Sequence, residues 1–200
     1  MVEIEPGLIS DLLRQSMEEG RAPYLNVISD SMSPLIVSGD QVQISSTNHG
    51  ALKVGDVVVM QGNNELLTHR FWGLINLDAQ VQIITKGDRP QHFDHPHDAG
   101  TLVGLVIARR RNRRLMDLTE GVGNWLNRWL TTLAKVDYHL FSASLTSVSN
   151  SDGAAITHDG IFASTSRKNF NHRIIRRSIY SVAKLLTIII QKFDRPVEES

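Results

Sequence analysis

Cysteine is absent from the 200 residues, which excludes a disulfide scaffold, a thiolate zinc site, an iron–sulfur cluster and a cysteine nucleophile. Long apolar runs are absent as well, since no stretch approaches the ~18 uninterrupted apolar residues that cross a bilayer. The acidic opening from Met1 to Pro6 has neither the basic nor the apolar region of a secretory signal. Aromatic residues amount to 6% and do not interleave the basic clusters, so base-stacking recognition of nucleic acid is not indicated. Net charge is zero over the chain but not along it. Residues 1–100 hold 6 Lys/Arg against 13 Asp/Glu, a net −7, and residues 101–200 hold 15 against 8, a net +7. With 41% hydrophobic and 21% charged residues, the chain has the composition of a folded protein and not of a disordered one.

Three textures divide the chain. Over residues 1–22, Leu8, Leu12, Leu13 and Met17 recur at helical spacing before Gly20, predicting an amphipathic helix too short for a DNA-binding domain. Over residues 23–114, short apolar runs broken by Gly, Asn and Asp predict a compact antiparallel β-rich domain. Its strands are expected at Tyr24 to Ile28, Gln41 to Ser45, Val57 to Gln61, Glu65 to Trp72, Val81 to Thr85 and Leu102 to Arg109. Gly62-Asn63-Asn64 tolerates positive φ and predicts a hairpin between the third and fourth. Residues 115–200 read as a basic helical extension. One amphipathic helix carries Trp125, Trp129, Leu130, Leu133 and Val136, and another carries Ile179, Val182, Ala183, Leu186, Ile190 and Phe193. The Ser-, Thr- and Gly-rich stretch 142–166 between them is expected to be a flexible segment. The whole is mainly β, or α+β when the helices are counted.

The segment Val27-Ile28-Ser29-Asp30-Ser31-Met32-Ser33-Pro34 ends a strand in small polar residues and a proline turn. Such a turn presents a hydroxyl at a sheet rim beside backbone N–H groups, the arrangement a nucleophile and an oxyanion hole require, although Ser and Pro are equally ordinary turn residues. Gly39-Asp40, Leu52-Lys53-Val54-Gly55-Asp56-Val57, Thr68-His69-Arg70-Phe71 and Thr85-Lys86-Gly87-Asp88 follow in order, with Asp94 six residues later.

Taken together, over residues 24–109, this series resembles the type I signal peptidases, specifically the archaeal and endoplasmic-reticulum branch with a His general base. The resemblance implies Ser31 as nucleophile, Ser29 as a helper at the oxyanion, His69 as general base and Asp94 as the acid orienting it, with Asp88 competing for that last role. It implies a signal-peptidase-like fold, a peptide or preprotein substrate and no cofactor. One departure stands out: Asp30 replaces the family's Gly between the serines, and a carboxylate pointing inward there would oppose a developing oxyanion.

The chemistry agrees independently. A serine hydroxyl needs a base within hydrogen-bond reach, imidazole suits that task at neutral pH, and a carboxylate on the other ring nitrogen fixes the tautomer. A Ser-Lys pair has only Lys53 and Lys86 to draw on in the first hundred residues, both in turns where a solvated ammonium is a poor base. Lys86 is expected at the surface, with bracing of the active-site turn through its ammonium as the alternative, and Asp40 and Asp56 are expected to serve their turns alone.

Two other signals compete. His92, Asp94, His95, His97 and Asp98 crowd one loop and offer zinc-type donors, but without an H-E-x-x-H helix no metal is assigned. Arg109, Arg110, Arg111, Arg113 and Arg114, with Arg167, Lys168, Arg173, Arg176 and Arg177, flank helices bearing Trp125, Trp129 and Tyr180. This suits peripheral contact with an anionic membrane somewhat better than phosphates of nucleic acid, with a solvated helix packed on the β domain as the plain alternative. The expected activity is that of a serine endopeptidase acting on a leader- or signal-type peptide, in the cytoplasm or peripherally at a membrane. The alternative is a peptide-binding module of the same fold that does not cut.

Overall fold

The run Val57-Val58-Val59-Met60 is apolar at every position, the mark of a strand buried on both faces, and it forms the spine of the molecule. The computed structural model describes residues 6–63, 65–77, 80–90, 92–149, 169–190 and 195–196. Helix α1 (Pro6–Glu18) precedes strands β1 (Tyr24–Asn26), β2 (Gln41–Ser45), β3 (Val57–Gln61), β4 (Leu66–Leu77), β5 (Gln80–Lys86), β6 (His97–Asp98), β7 (Leu102–Arg111) and β8 (Arg114–Asp117). Helices α2 (Gly121–Ser149) and α3 (Asn169–Ile190) and the short strand β9 (Arg195–Pro196) follow. The strands pair antiparallel in the order β1-β2-β7-β3-β4-β5-β6, with β8 joining β7 to β9. The sheet curls into a half-barrel, and strand and helix take nearly equal shares, about 35% and 34%, so the fold is α+β.

Successive side chains of β3 point to opposite faces, and each face has its own core. Val57 and Val59 join Met32, Leu35, Ile36, Val42, Ile44, Val103, Val106, Leu126, Leu130, Ala183 and Ile190. Val58 and Met60 join Phe71, Ile83 and Leu102. The first cluster holds residues of β2, β3, β7, α2 and α3, so the helices that follow the sheet close its main core. Among the described residues no helix is long and apolar enough to cross a membrane.

Several boundaries differ from those expected. The first strand ends at Asn26 instead of Ile28, although Val27 still exchanges backbone bonds with Gly39 and Asp40. The fourth strand continues from Trp72 to Leu77, and the seventh from Arg109 to Arg111. The added residues of the seventh strand pair with β8 across a turn in which Asn112 and Arg113 adopt positive φ (48° and 61°). The expected flexible segment begins inside a helix, because α2 runs to Ser149; Ser and Thr lower helix propensity by only tenths of a kcal/mol per residue (~0.5). Residues 150–166 lie outside the described residues.

The helical faces match those expected in part: Met17, Leu130, Ala183 and Ile190 enter the core, and Leu13, Trp129 and Leu133 pack against it. On α1, Ser10 and Met17 are buried while Leu8 and Leu12 are exposed. On α2 the buried positions are Leu126, Asn127, Leu130 and Thr131, whereas Trp125 is 53% exposed. On α3 they are Ala183, Thr187 and Ile190, and Val182 is exposed; Ile179 and Phe193 lie outside the described side chains. Thr131 and Thr187 return their hydroxyls to the carbonyls of Asn127 and Ala183 (2.8 Å each), which lets a polar residue face inward at small cost.

Candidate active site

Ser31 sits in the turn that follows β1. The base of that turn is closed by Val27 N–H donating to the Asp40 carbonyl (2.8 Å) and Gly39 N–H donating to the Val27 carbonyl (2.9 Å). Its tip is pinned to the segment after β5, where Arg89 N–H donates to the Ser31 carbonyl (2.8 Å). Gly87 permits this approach, since a Cβ there would lie 2.9 Å from the Ser31 carbonyl oxygen and 2.7 Å from Pro90 Cδ. The Ser-bearing turn and the Thr85-Lys86-Gly87-Asp88 turn, 50 and more residues apart in sequence, are thereby locked together. Ser29 Oγ and Ser31 Oγ lie 3.3 Å apart, Ser29 exposed and Ser31 half-buried.

His69 comes from β4, opposite Val58 of β3, and is buried. Its Nδ1 lies 2.5 Å from Asp94 Oδ2. Asp94 is set by the backbone, its N–H donating to the Thr85 carbonyl (3.0 Å), and by the Thr85 hydroxyl, which donates to the same Oδ2 (2.6 Å). Burial alone would raise the Asp94 carboxyl, but hydrogen bonds from His69 and Thr85 and the charges of His69 and His97 hold it below the ordinary carboxylate value. The other imidazole nitrogen, His69 Nε2, is buried and makes no hydrogen bond. Hence the structure joins His69 to Asp94 and Ser31 to Ser29, while a Ser31–His69 hydrogen bond is not formed.

Asp88 is engaged elsewhere. Both its carboxylate oxygens accept from Arg70, at 2.7 Å each. Arg70 is fully buried, and its third nitrogen donates to the Gly55 carbonyl (2.7 Å), Asn127 Oδ1 (2.6 Å) and Thr131 Oγ1 (2.9 Å). The competing acid is therefore a partner of the neighbouring arginine and not of the histidine. Lys86 is buried rather than at the surface, its ammonium donating to the Gly87 carbonyl (3.2 Å). Asp40 pairs with Arg111 through both oxygens (2.6 Å each), and Asp56 accepts from Lys53 N–H (2.8 Å). Asp30 is engaged by its own turn and its neighbour. Its carboxylate accepts from Ser38 N–H (3.0 Å) and stands 4.0 Å from Arg89.

Among the described residues no three His, Asp or Glu side chains converge on a metal position. Within the histidine loop Asp94 is bound to His69, and Asp98 accepts from Gly100 N–H (2.7 Å). His97, half-buried, is held below the ordinary histidine pKa chiefly by its burial. The basic run at the end of β7 faces protein: Arg109 donates to the Leu35 carbonyl (3.3 Å), Arg110 lies 4.5 Å over the Tyr24 ring and bonds Gln41, and Arg111 holds Asp40. Arg167 and Lys168 lie outside the described residues, and Arg173, Arg176 and Arg177 fall on α3.

Thr85 and the aromatic group Trp72, Phe93 and Tyr138 are site neighbours that sequence reasoning did not single out. Phe93 precedes Asp94 and meets Trp72 edge-on at 5.3 Å. The position of Thr85 in the T-K-G-D turn was the available signal; nothing local links Tyr138 to Phe93. Comparison of the chain with protein-family models and with curated proteins finds no match.

Proposed function

We propose that the protein is a serine endopeptidase similar to signal peptidases, cleaving a leader- or signal-type peptide. The observation that carries this reading is the buried His69–Asp94 pair, with Nδ1 committed to the carboxylate at 2.5 Å and Nε2 left without a hydrogen bond. A buried imidazole nitrogen without a partner is costly unless a function uses it, and the segment that carries Asp94 also holds the serine turn, through the Arg89 N–H on the Ser31 carbonyl. Catalytic hydrogen bonds are commonly long or absent before substrate binds, and in this reading the Ser31 hydroxyl leaves Ser29 for His69 Nε2 when substrate arrives.

In this mechanism Ser31 Oγ attacks the scissile carbonyl carbon while His69 Nε2 takes its proton. Asp94 accepts from Nδ1–H and stabilises the imidazolium. The Ser31 N–H and the Ser29 hydroxyl hold the oxyanion, and His69 returns the proton to the leaving amine. Water, deprotonated by His69, then hydrolyses the ester and restores Ser31. The substrate is an extended peptide or preprotein segment added beside an exposed strand. Its site of action is the cytoplasm or the periphery of a membrane, where Val182, Leu185, Ile188 and Ile189, all exposed on α3, would meet the interface.

The test is acylation by a fluorophosphonate probe with mass mapping of the adduct. Wild-type protein is expected to label at Ser31, Ser31→Ala not at all, and His69→Ala at least ~10³-fold more slowly. Labelling of His69→Ala at the wild-type rate would sink the mechanism. A second reading, a peptide-binding module that does not cut, is favoured by the Ser29–Ser31 contact and by Asp30 in place of glycine. A wild-type protein that binds leader peptide yet takes no adduct selects it.

A further inference from the structure

The helices that follow the sheet reach the two halves of the site separately. From α3, the Tyr180 hydroxyl lies 2.8 Å from Ser33 Oγ. Ser33 is buried, stands two residues beyond Ser31, and donates its N–H to the Asp30 carbonyl (3.0 Å), closing the turn on either side of the nucleophile. From α2, Tyr138 packs edge-on against Phe93 (5.3 Å), the residue before Asp94, and Asn127 and Thr131 grip Arg70, the residue after His69. The fit of α2 is close, for a Cβ on Gly55 would come within 2.6 Å of Thr131 Oγ1.

We infer that α2 and α3 clamp the active site and that Tyr180 is a positioning residue for Ser31, acting through the Ser33 hydroxyl. The inference rests on the peptidase reading for its consequence but on the Tyr180–Ser33 contact for its geometry. On the other side of the nucleophile Ser29 and Asp30 are exposed, with Asp30 tied by the Ser38 N–H and the base of the turn closed by Val27, so the buried Ser33 side and the Arg89 N–H are the holds nearest to Ser31. Loosening the Ser33 side lets Ser31 Oγ sample positions away from His69 Nε2, and rate falls steeply with such misplacement. A hydroxyl pair that merely satisfied two polar groups would influence stability alone.

Full-length Tyr180→Phe, Ser33→Ala and the double variant separate these roles. At 25 °C, with all proteins folded by circular dichroism, Tyr180→Phe is expected to label with fluorophosphonate about tenfold more slowly. The fraction labelled at completion and the pH midpoint should remain those of wild type. The double variant should be no slower than the slower single variant, as befits one shared contact. Wild-type labelling rates in Tyr180→Phe, or single-variant effects that multiply, would overturn the clamp. Amide hydrogen exchange over residues 29–34 provides an arm independent of catalysis, with faster exchange expected in Tyr180→Phe. If wild-type protein takes no adduct, the peptidase reading falls and exchange alone decides; unchanged protection then removes the clamp too.

Discussion

Two adjacent residues of one strand, His69 and Arg70, put opposite kinds of site on the two faces of the sheet. His69 lies on the face of Val58 and Phe71, Arg70 on the face of Val57, Leu126 and Leu130. Each pairs with an acid from the segment following β5, His69 with Asp94 and Arg70 with Asp88. The Arg70 pair is saturated: two bonds to Asp88 and three to Gly55, Asn127 and Thr131. The His69 pair stops short, with one nitrogen buried and unbonded. Saturation is what a buried charge needs in order to be structural. An open valence in an otherwise ordered pair is what a general base needs in order to act, and on the peptidase reading proposed above this difference between the faces would divide scaffold from chemistry.

Exchanging the acids breaks this contrast most severely. Asp94→Asn keeps the shape but no longer holds the imidazole in the tautomer that leaves Nε2 free to accept. The fluorophosphonate rate is expected to fall on the order of 10⁴-fold, with the fold intact. Asp88→Asn should reverse the pattern, lowering urea resistance while folded protein keeps a rate within about tenfold of wild type. If Asp88→Asn loses the reaction and Asp94→Asn retains it, the two acids have been assigned the wrong way round.

Removing the buried cation itself is next in size. Arg70→Leu leaves Asp88 charged beneath α2 and strips the partners of Asn127 and Thr131, a change expected to cost about 3–5 kcal/mol. Against the ~5–15 kcal/mol of an ordinary domain, urea unfolding should show a midpoint lowered by a large fraction. His69→Leu should cost less in the same experiment, about 1–3 kcal/mol, because it leaves the partly buried Asp94 without its imidazole partner while removing a nitrogen that had none. Similar losses for both would mean that the faces do not differ as described.

The sheet was largely legible because β2, β3, β4, β5 and β7 carry alternation or unbroken β-branched runs that no other element explains. The hairpin into β8 was not, since Arg113 at positive φ belongs to no common turn signature. The inward faces of α2 and α3 were legible only in part, Leu130, Ala183 and Ile190 but not their polar neighbours, for a physical reason. Asn127 and Thr131 turn inward to supply acceptors for Arg70, 57 and 61 residues away, and apolar periodicity registers no such demand. In the candidate site, the His69–Asp94 and Ser29–Ser31 contacts join residues that motif order groups. The choice between Asp94 and Asp88 was not legible, because both lie on the same connection and only their three-dimensional direction separates them. Arg109 and Lys86 looked like surface charge for the same reason: their acceptors are backbone carbonyls, which leave no trace in residue type.

The smallest effect is the response of stability to acid, and it samples the open face from within. Burial holds His97 below the ordinary histidine value, so on acidification the unfolded chain takes up that proton first, near pH ~6.5. Stability from this group is therefore full above that pH and declines as pH falls from there to the lower folded value. Asp94 is also held below its ordinary value, which places its contribution above about pH 4 and its loss at lower pH still, as the folded-state carboxyl is protonated. The two groups thus tilt stability in the same direction in two separate windows. Urea midpoints measured from pH 8 to pH 3 should show both slopes in wild type, the upper one flattened in His97→Gln and the lower one flattened in Asp94→Asn. An upper slope that persists unchanged in His97→Gln would show that the imidazole is solvated, and that the face bearing His69 is wetter than its packing indicates.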